Sequence, residues 1–242
     1  MADKSYKSYR QQLNILRSRG MVIGKGSQGS RVMRILEHEN YYNVINGYKE
    51  LFLASKATAN ADEVYKTGTT FDEVYSLYNF DRELRNIYLK YLLKLENTFK
   101  TVIAHEFSAK YGHDNYLKIE NFDNSTERNI SSSIKLIGDI QQEIARQMSK
   151  HHQVVTHYMT EHGYIPLWVL VNVLTYTYGT NDAYAIAIMF ALLLSKSDLN
   201  DFISSVRTAF GKLQKQLHTI SAADIMSIMG YDANWMNLAN LR

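Results

Sequence analysis

The sequence predicts an all-α protein built as a helical bundle. Three observations support this class: a single proline in 242 residues, long stretches with apolar residues three and four positions apart, and no stretch with the alternating pattern of a strand. Short polar segments join the helical stretches, as is typical of bundles. Because the sequence has no cysteine, disulfides and thiolate metal sites are excluded.

The amino-terminal residues carry most of the positive charge. Residues 1–34 contain eight Lys and Arg and one acid, Asp3, so their charge is about +7 and that of the remainder about −4. Such asymmetry indicates a surface for a polyanion, with a solvated helix face as the alternative. We therefore divide the chain into a basic helical segment, 1–53, and a bundle core, 54–242. One continuous domain over 1–242 is the other option.

Helical spacing defines the elements of the basic segment. Residues 5–18 are predicted to form an amphipathic helix and 24–30 a loop rich in glycine and serine. Residues 31–52 are predicted to form a second helix, with Gly47 as its candidate break. The polar residues 54–68 are predicted to be irregular.

The core opens on a capping box, Thr70-x-x-Glu73, which predicts a short helix. Asp81 is predicted to cap the next helix, 82–111, whose apolar residues recur at steps of three and four. The remaining helices, which polar segments and glycines separate, are predicted at 126–162, 166–176, 182–195, 198–217 and 221–230.

Two patterns could indicate a ligand site, a glycine-rich segment and a histidine cluster, but neither is interpreted as one. Gly24, Gly26 and Gly29 match the glycine spacing of a phosphate-binding loop, but no β-α-β pattern surrounds them, so a turn between helices is favoured. Histidines cluster at 151–162 without the three convergent ligands that zinc needs. We expect neither a metal nor another cofactor.

The sequence favours a cytoplasmic protein outside the membrane. No apolar signal core follows the basic amino-terminal residues. The longest apolar run, 183–194, is shorter than the roughly 20 residues that span a bilayer.

Candidate RNA contacts are basic residues of the amino-terminal segment together with nearby tyrosines and two arginines of the longest helix. Tyrosines can stack on unpaired bases while cations hold phosphates, although packing at the edge of a core is the alternative. Arginines at a helix start oppose the helix dipole, which predicts that they pair with acids or bind an anion. The candidates are Lys4, Lys7, Arg10, Arg17, Arg19, Lys25, Arg31, Arg34, Tyr41, Tyr42, Lys49, Arg82 and Arg85.

An ordered series of segments along the chain resembles one protein family. One member of the series is Ile-Pro-Leu-Trp-Val-Leu-Val at residues 165–171. The others are residues 7–16, 19–23, 36–52, 80–85, 103–111, 181–182 and 229–235. In this series the chain resembles the Abi-like abortive-infection proteins of the AbiD/F type, a prokaryotic phage-defence family.

The resemblance implies a helical fold related to the HEPN ribonucleases and a link to small structured noncoding RNAs. In such enzymes an R-x4–6-H motif from each of two domains forms one ribonuclease site, so a homodimer is also implied. The Arg-Asn-x-x-Ala-His block that the family carries after residues 165–171 is missing here. Two other matches exist, Arg146 with His151 and Arg31 with His38, but neither lies at the family's catalytic position.

Three functions remain open from the sequence. The favoured one is an RNA-binding phage-defence protein that lacks catalysis and binds a structured noncoding RNA. The second is an active, metal-independent endoribonuclease that uses Arg146 and His151. The third is a protein-interaction or immunity partner of an intact relative.

Overall fold

The computed structural model describes residues 5–58, 61–174, 183–231 and 234–240. Helices account for most of them, which confirms the predicted all-α class. The α-helices are α1 Tyr9–Ser18, α2 Ser27–Glu39, α3 Phe71–Tyr111, α4 Glu127–Ser149, α5 Gln153–His162, α6 Leu167–Leu170, α7 Ala183–Leu193, α8 Lys196–Gln214 and α9 Ala222–Ile228. Shorter turns are a π-helical turn, Tyr42–Asn46, and 3-10 turns at Lys49–Phe52, Asn115–Leu117, Ile119–Asn121 and Trp235–Asn240.

The chain forms two compact units. Unit 1 consists of Met1–Tyr91 and Asp182–Arg242, and unit 2 consists of Leu92–Asn181. The boundary that charge suggests, between residues 53 and 54, falls inside unit 1. Within the described residues, every helix is too short or too polar to cross a membrane.

Aromatic residues of α3, α7 and α8 form the centre of unit 1. Tyr91, Phe190 and Phe202 are almost fully buried, and the ring centroids of Phe190 and Phe202 lie 4.9 Å apart in an edge-to-face arrangement. Tyr88 joins them with its centroid 5.2 Å from that of Phe202. Aromatic pairs of this kind bury large areas and add directional contacts.

The predicted loop at 24–30 is shorter than expected, because α2 begins at Ser27. Gly26 adopts a positive φ of 67°, which lets the chain turn into the helix. The Arg17 guanidinium donates to the carbonyl oxygens of Ile23 and Gly24 at 3.1 and 2.6 Å. The Gln28 side chain accepts from the Gly24 amide at 2.7 Å. The glycine segment is thus a turn between helices, as the absence of flanking strands predicted.

The prediction of one helix over 31–52 is wrong. Helix α2 ends at Glu39, since Asn40 has a φ of 67°, and the π-helical and 3-10 turns follow. Asparagine tolerates this conformation better than most residues, so the break falls there instead of at Gly47. The segment predicted to be irregular forms an antiparallel hairpin of β1, Leu53–Ser55, and β2, Val64–Tyr65. Strands this short give no alternating signal.

Helix α3 runs without a break where Asp81 was predicted to cap a new helix. The predicted capping box opens it: the Thr70 amide donates to Glu73 Oε2 at 3.0 Å, and the Glu73 amide donates to Thr70 Oγ1 at 3.2 Å. Arg82 and Arg85 therefore lie well inside the helix, and the argument from its dipole does not apply to them.

Unit 2 packs α4, α5 and α6 around apolar side chains. Val155, Ile165 and Leu170 are at most 1% exposed. The predicted helix 126–162 is interrupted between Ser149 and Gln153, where His151 has a φ of 52° and His152 caps α5. The prediction of a helix over 166–176 is wrong in its length, because α6 ends at Leu170 and turns follow it at residues 171–173. The predicted cap at Asn181 or Asp182 lies outside the described residues.

Candidate nucleic-acid interface

Three of the predicted RNA contacts form hydrogen bonds or ion pairs with other residues of unit 1. Arg17 holds the glycine turn, as described above. Glu63, only 5% exposed, pairs with Arg19 Nη1 through Oε1 and with Lys49 Nζ through Oε2, each at 2.6 Å. Arg17, Arg19 and Lys49 therefore hold unit 1 together and offer little to a ligand.

Other predicted contacts face the solvent. Tyr42 is 69% exposed. The neighbouring Tyr41 is partly buried, and this burial raises the pKa of its hydroxyl. Lys4 lies outside the described residues. Of the predicted contacts within the described residues, Lys7, Arg10, Lys25 and Arg34 are exposed and form no ion pair with a described side chain.

The structure brings Arg82 and Arg85 together with Tyr42 at one cavity of about 540 Å³. Residues from the turn after α2 form one wall and residues of α3 form the other. We call this cavity the Arg–Tyr cleft. It is lined by Tyr42, Asn43, Gly47, Tyr48, Tyr78, Asp81, Arg82 and Arg85.

Ion pairs fix both arginines of the Arg–Tyr cleft, as the sequence predicted. Arg82 Nη1 lies 2.8 Å from Glu39 Oε1, and Arg85 pairs with Asp81 on the preceding turn. The two side chains remain 51% and 71% exposed. A guanidinium has five N–H donors, so each arginine keeps donors for a ligand phosphate.

Two tyrosine hydroxyls donate to the same acids. Tyr48 Oη lies 2.5 Å from Asp81 Oδ2, and Tyr78 Oη lies 2.7 Å from Glu39 Oε2. Burial and then the bond to Asp81 raise the pKa of Tyr48. The bonds from Tyr78 and Arg82 lower the pKa of the Glu39 carboxyl. Tyr48 and Tyr78 thus stay neutral and Glu39 stays charged at neutral pH, which keeps Arg82 in place.

Stacked rings extend along α3 from the cleft. Phe71 and Tyr75 stack with centroids 6.0 Å apart, and Tyr75 and Tyr78 stack at the same distance. The Arg82 guanidinium lies 5.5 Å from the Tyr78 centroid. Sequence reasoning missed Tyr48 and Tyr78 as site residues. The spacing of residues 71, 75 and 78 on one helix face was the available signal.

In the R-x4-H match, Arg146 of α4 is bound to Glu143 on the same helix, and His151 lies in the break between α4 and α5. Arg146 donates to Glu143 through two nitrogens of its guanidinium, Nε at 2.6 Å and Nη2 at 2.5 Å, and these bonds lower the pKa of Glu143 to about 2. In the second match, Arg31 pairs with Asp72 at 2.5 Å. No cluster of His, Asp and Glu suited to a metal occurs among the described residues.

We expect no specific RNA cleavage from Arg146 and His151, because Glu143 binds the Nε–Nη2 edge of Arg146, which is the edge that would hold two oxygens of a phosphorane. Arg82 and Arg85, in contrast, each pair through one nitrogen. Wild type, Arg146→Gln and His151→Asn should give the same low cleavage of total RNA in the presence of EDTA. The measurement is gel electrophoresis over a time course. Cleavage by the wild type that either substitution abolishes would contradict this expectation.

One comparison with known proteins gives a match. The family model described as Abi-like protein matches residues 34–223, which cover most of the chain and include the Arg–Tyr cleft. Neither the curated proteins nor the solved structures include a significant match.

Proposed function

Because the chain belongs to the Abi-like protein family, which is associated with abortive infection and phage defence, we propose that it acts in that defence by binding a structured noncoding RNA without cleaving it. The observation that carries the proposal is the Arg–Tyr cleft. There two exposed guanidinium groups and the exposed ring of Tyr42 line one cavity. Arginines bind phosphates and aromatic rings stack on unpaired bases.

The cleft is built in advance of any ligand. Glu39 and Asp81 hold the arginines on one side, and Tyr48 and Tyr78 hold the two acids. Side chains that are already ordered lose less entropy on binding. A folded RNA loop, which presents phosphates and splayed bases in a fixed arrangement, suits such a site.

Charge near the cleft supports the same ligand. The two arginines are balanced by two acids, so the cleft itself is close to neutral. Additional positive charge comes from Arg34 on α2, which lines an adjoining cavity with Glu39 and Tyr75. Cations beside an aromatic cleft can hold the RNA backbone while the cleft holds a loop.

The double substitution Arg82→Gln and Arg85→Gln should weaken binding of a labelled RNA hairpin by about tenfold or more, since two phosphate contacts are lost. The logarithmic salt slope of the binding constant should also fall by about 1 for each contact. Fluorescence anisotropy at several salt concentrations measures both quantities.

The matched control is Arg128→Gln, which removes an exposed arginine of α4 in unit 2. It should leave hairpin affinity within about twofold of wild type. Tyr42→Ala should weaken binding with little change in the salt slope, because it removes stacking and no charge. Equal affinity for the double variant and the wild type would contradict the assignment of the cleft.

A further inference from the structure

Six aromatic and imidazole rings of unit 2 form a continuous series that the proposed function does not use. Neighbouring centroids along it are 4.9 to 6.2 Å apart. We call this series the ring track. In spatial order its members are His157, Tyr158, His162, Tyr164, His113 and Trp168.

The ring track lies on a well-packed scaffold. The Leu167 amide donates to the His113 carbonyl at 2.8 Å, and the Tyr116 hydroxyl donates to the Ile165 carbonyl at 2.8 Å. Val155 anchors α5 with no exposed surface. The rings are therefore held at fixed positions by buried neighbours of the same unit.

Burial does not explain the ring track. Trp168 is 51% exposed and Tyr164 is 36% exposed, although large aromatic rings usually gain from complete burial. The His113 side chain is 45% exposed, and its Nε2 lies 4.0 Å from an Asp114 oxygen. A row of half-exposed rings costs stability in water and suits a ligand that presents flat apolar faces.

Trp168 also lines a cavity of about 620 Å³ between α3 and the residues around α6. This size lies within the range of roughly 300 to 1,000 Å³ that is typical of small-ligand sites. Ala104 and Val171 are buried and give the cavity an apolar floor. The rest of its lining is Ala109 and six polar side chains, namely Asn97, Lys100, Thr101, His105, Ser108 and Asn172.

One polar group in the cavity lacks a partner. The Ser108 hydroxyl oxygen is buried and forms no hydrogen bond with any described group. A buried hydroxyl without a partner is unfavourable, and a turn of this side chain toward the cavity would let a ribose 2′-hydroxyl supply one, because that group both donates and accepts. Lys100, in contrast, is paired with Glu96 at 2.7 Å.

From these contacts we propose that unit 2 binds single-stranded RNA along the ring track, with one base stacked on Trp168 and its nucleotide in the adjoining cavity. This surface is separate from the Arg–Tyr cleft and shares with the proposed function only the class of ligand. Stacking is sequence-tolerant, so the track should accept any unpaired run and bind uridine oligomers as a simple probe.

Intrinsic fluorescence tests the proposal. The chain has two tryptophans, and Trp235 is 3% exposed, so Trp235→Phe leaves Trp168 as the single reporter. An oligouridylate of about ten nucleotides should quench this signal saturably. Adding His162→Ala and Tyr164→Ala should weaken the apparent affinity about tenfold. A second variant, Trp168→Phe, keeps Trp235 and should show no quenching by the oligomer. Comparing it with the wild type tests the same stacking without Trp235→Phe, in case that substitution disturbs folding.

His151→Asn is the matched control, since His151 is exposed and makes no ring contact within the described part of unit 2. It should leave quenching unchanged. Absence of quenching, or equal affinity in the His162 and Tyr164 variant, would overturn the proposal. Equal or tighter binding of oligothymidylate would overturn its assignment to RNA. If the wild-type chain does not bind the RNA hairpin but oligouridylate still quenches Trp168, only the function proposed for the Arg–Tyr cleft is refuted.

Discussion

Replacing Glu73 with alanine should lower the free energy of unfolding by about 3 to 4 kcal/mol, because a buried carboxylate with several donors is lost. Glu73 has no exposed surface. Its Oε1 accepts from the His218 and Thr219 amides at 2.6 and 2.7 Å and from the Thr219 hydroxyl at 3.0 Å. Its Oε2 accepts from Thr70. One side chain therefore joins the start of α3 to the segment between α8 and α9.

The contribution of Glu73 should also depend on pH. Burial alone would raise its pKa, but the bonds from Thr70, Thr219 and His218 outweigh burial and lower the pKa below the ordinary value of 4.5. A carboxyl with a lowered pKa in the folded chain stabilises the fold above about 4.5 and loses this effect as the pH falls toward the folded pKa. Glu73→Gln should therefore flatten the pH dependence of stability below pH 4.5.

Denaturant unfolding followed by circular dichroism measures both effects. The control is Asp72→Asn, which removes the neighbouring carboxylate of a half-exposed pair with Arg31. Its cost should stay below about 1 kcal/mol. If Glu73→Ala and Asp72→Asn destabilise the chain equally, the buried carboxylate does not have the role that its contacts indicate.

Replacing Glu63 with glutamine should lower the free energy of unfolding by about 2 to 3 kcal/mol, because Arg19 and Lys49 lose the charge that compensates them. Their side chains are 22% and 18% exposed, so water offsets part of the loss. The Tyr65 amide donates to the Arg19 carbonyl at 2.8 Å, which places this cluster where the hairpin meets the end of α1.

Thermal unfolding of Glu63→Gln, compared with Glu50→Gln, tests this cluster. Glu50 pairs with Lys56 on the surface, where both side chains are more than half exposed, so its loss should cost no more than about 0.5 kcal/mol. Normal stability of Glu63→Gln together with weakened hairpin binding would instead assign Arg19 and Lys49 to RNA, as the charge pattern alone suggests.

Local signals in the sequence predicted much of the fold. The capping boxes at Thr70 and Ser221 and the helix ends before Gly112 and Gly163 are present, because neighbouring residues determine caps and glycine turns. Where the prediction was wrong, contacts from distant residues decide the structure. Asp81 has the type of a capping residue, but Tyr48 and Arg85 engage its carboxylate and α3 continues through it.

The candidate site was predicted only in part, for the same reason. The sequence named Arg82, Arg85 and Tyr42 as candidate contacts, and the structure places them at one cavity. The sequence also predicted that the arginines pair with acids or bind an anion, and the structure shows pairing with acids. The sequence could not show that Arg19 and Lys49 turn toward Glu63, because that depends on a residue 44 positions from Arg19. The relation to HEPN ribonucleases and the significance of the missing block stay predictions, and residues 175–182 lie outside the described part of the chain.

The affinity of the wild-type chain for a structured RNA hairpin, measured from low to moderate salt, tests the central claim most directly. We predict binding at low salt and a logarithmic salt slope of about −2 or steeper, which corresponds to at least two phosphate contacts. A parallel titration of the double variant, which carries both Arg82→Gln and Arg85→Gln, should give a weaker affinity and a shallower salt slope. No hairpin binding at low salt, or an affinity that salt does not change, would contradict an RNA-binding role for the Arg–Tyr cleft.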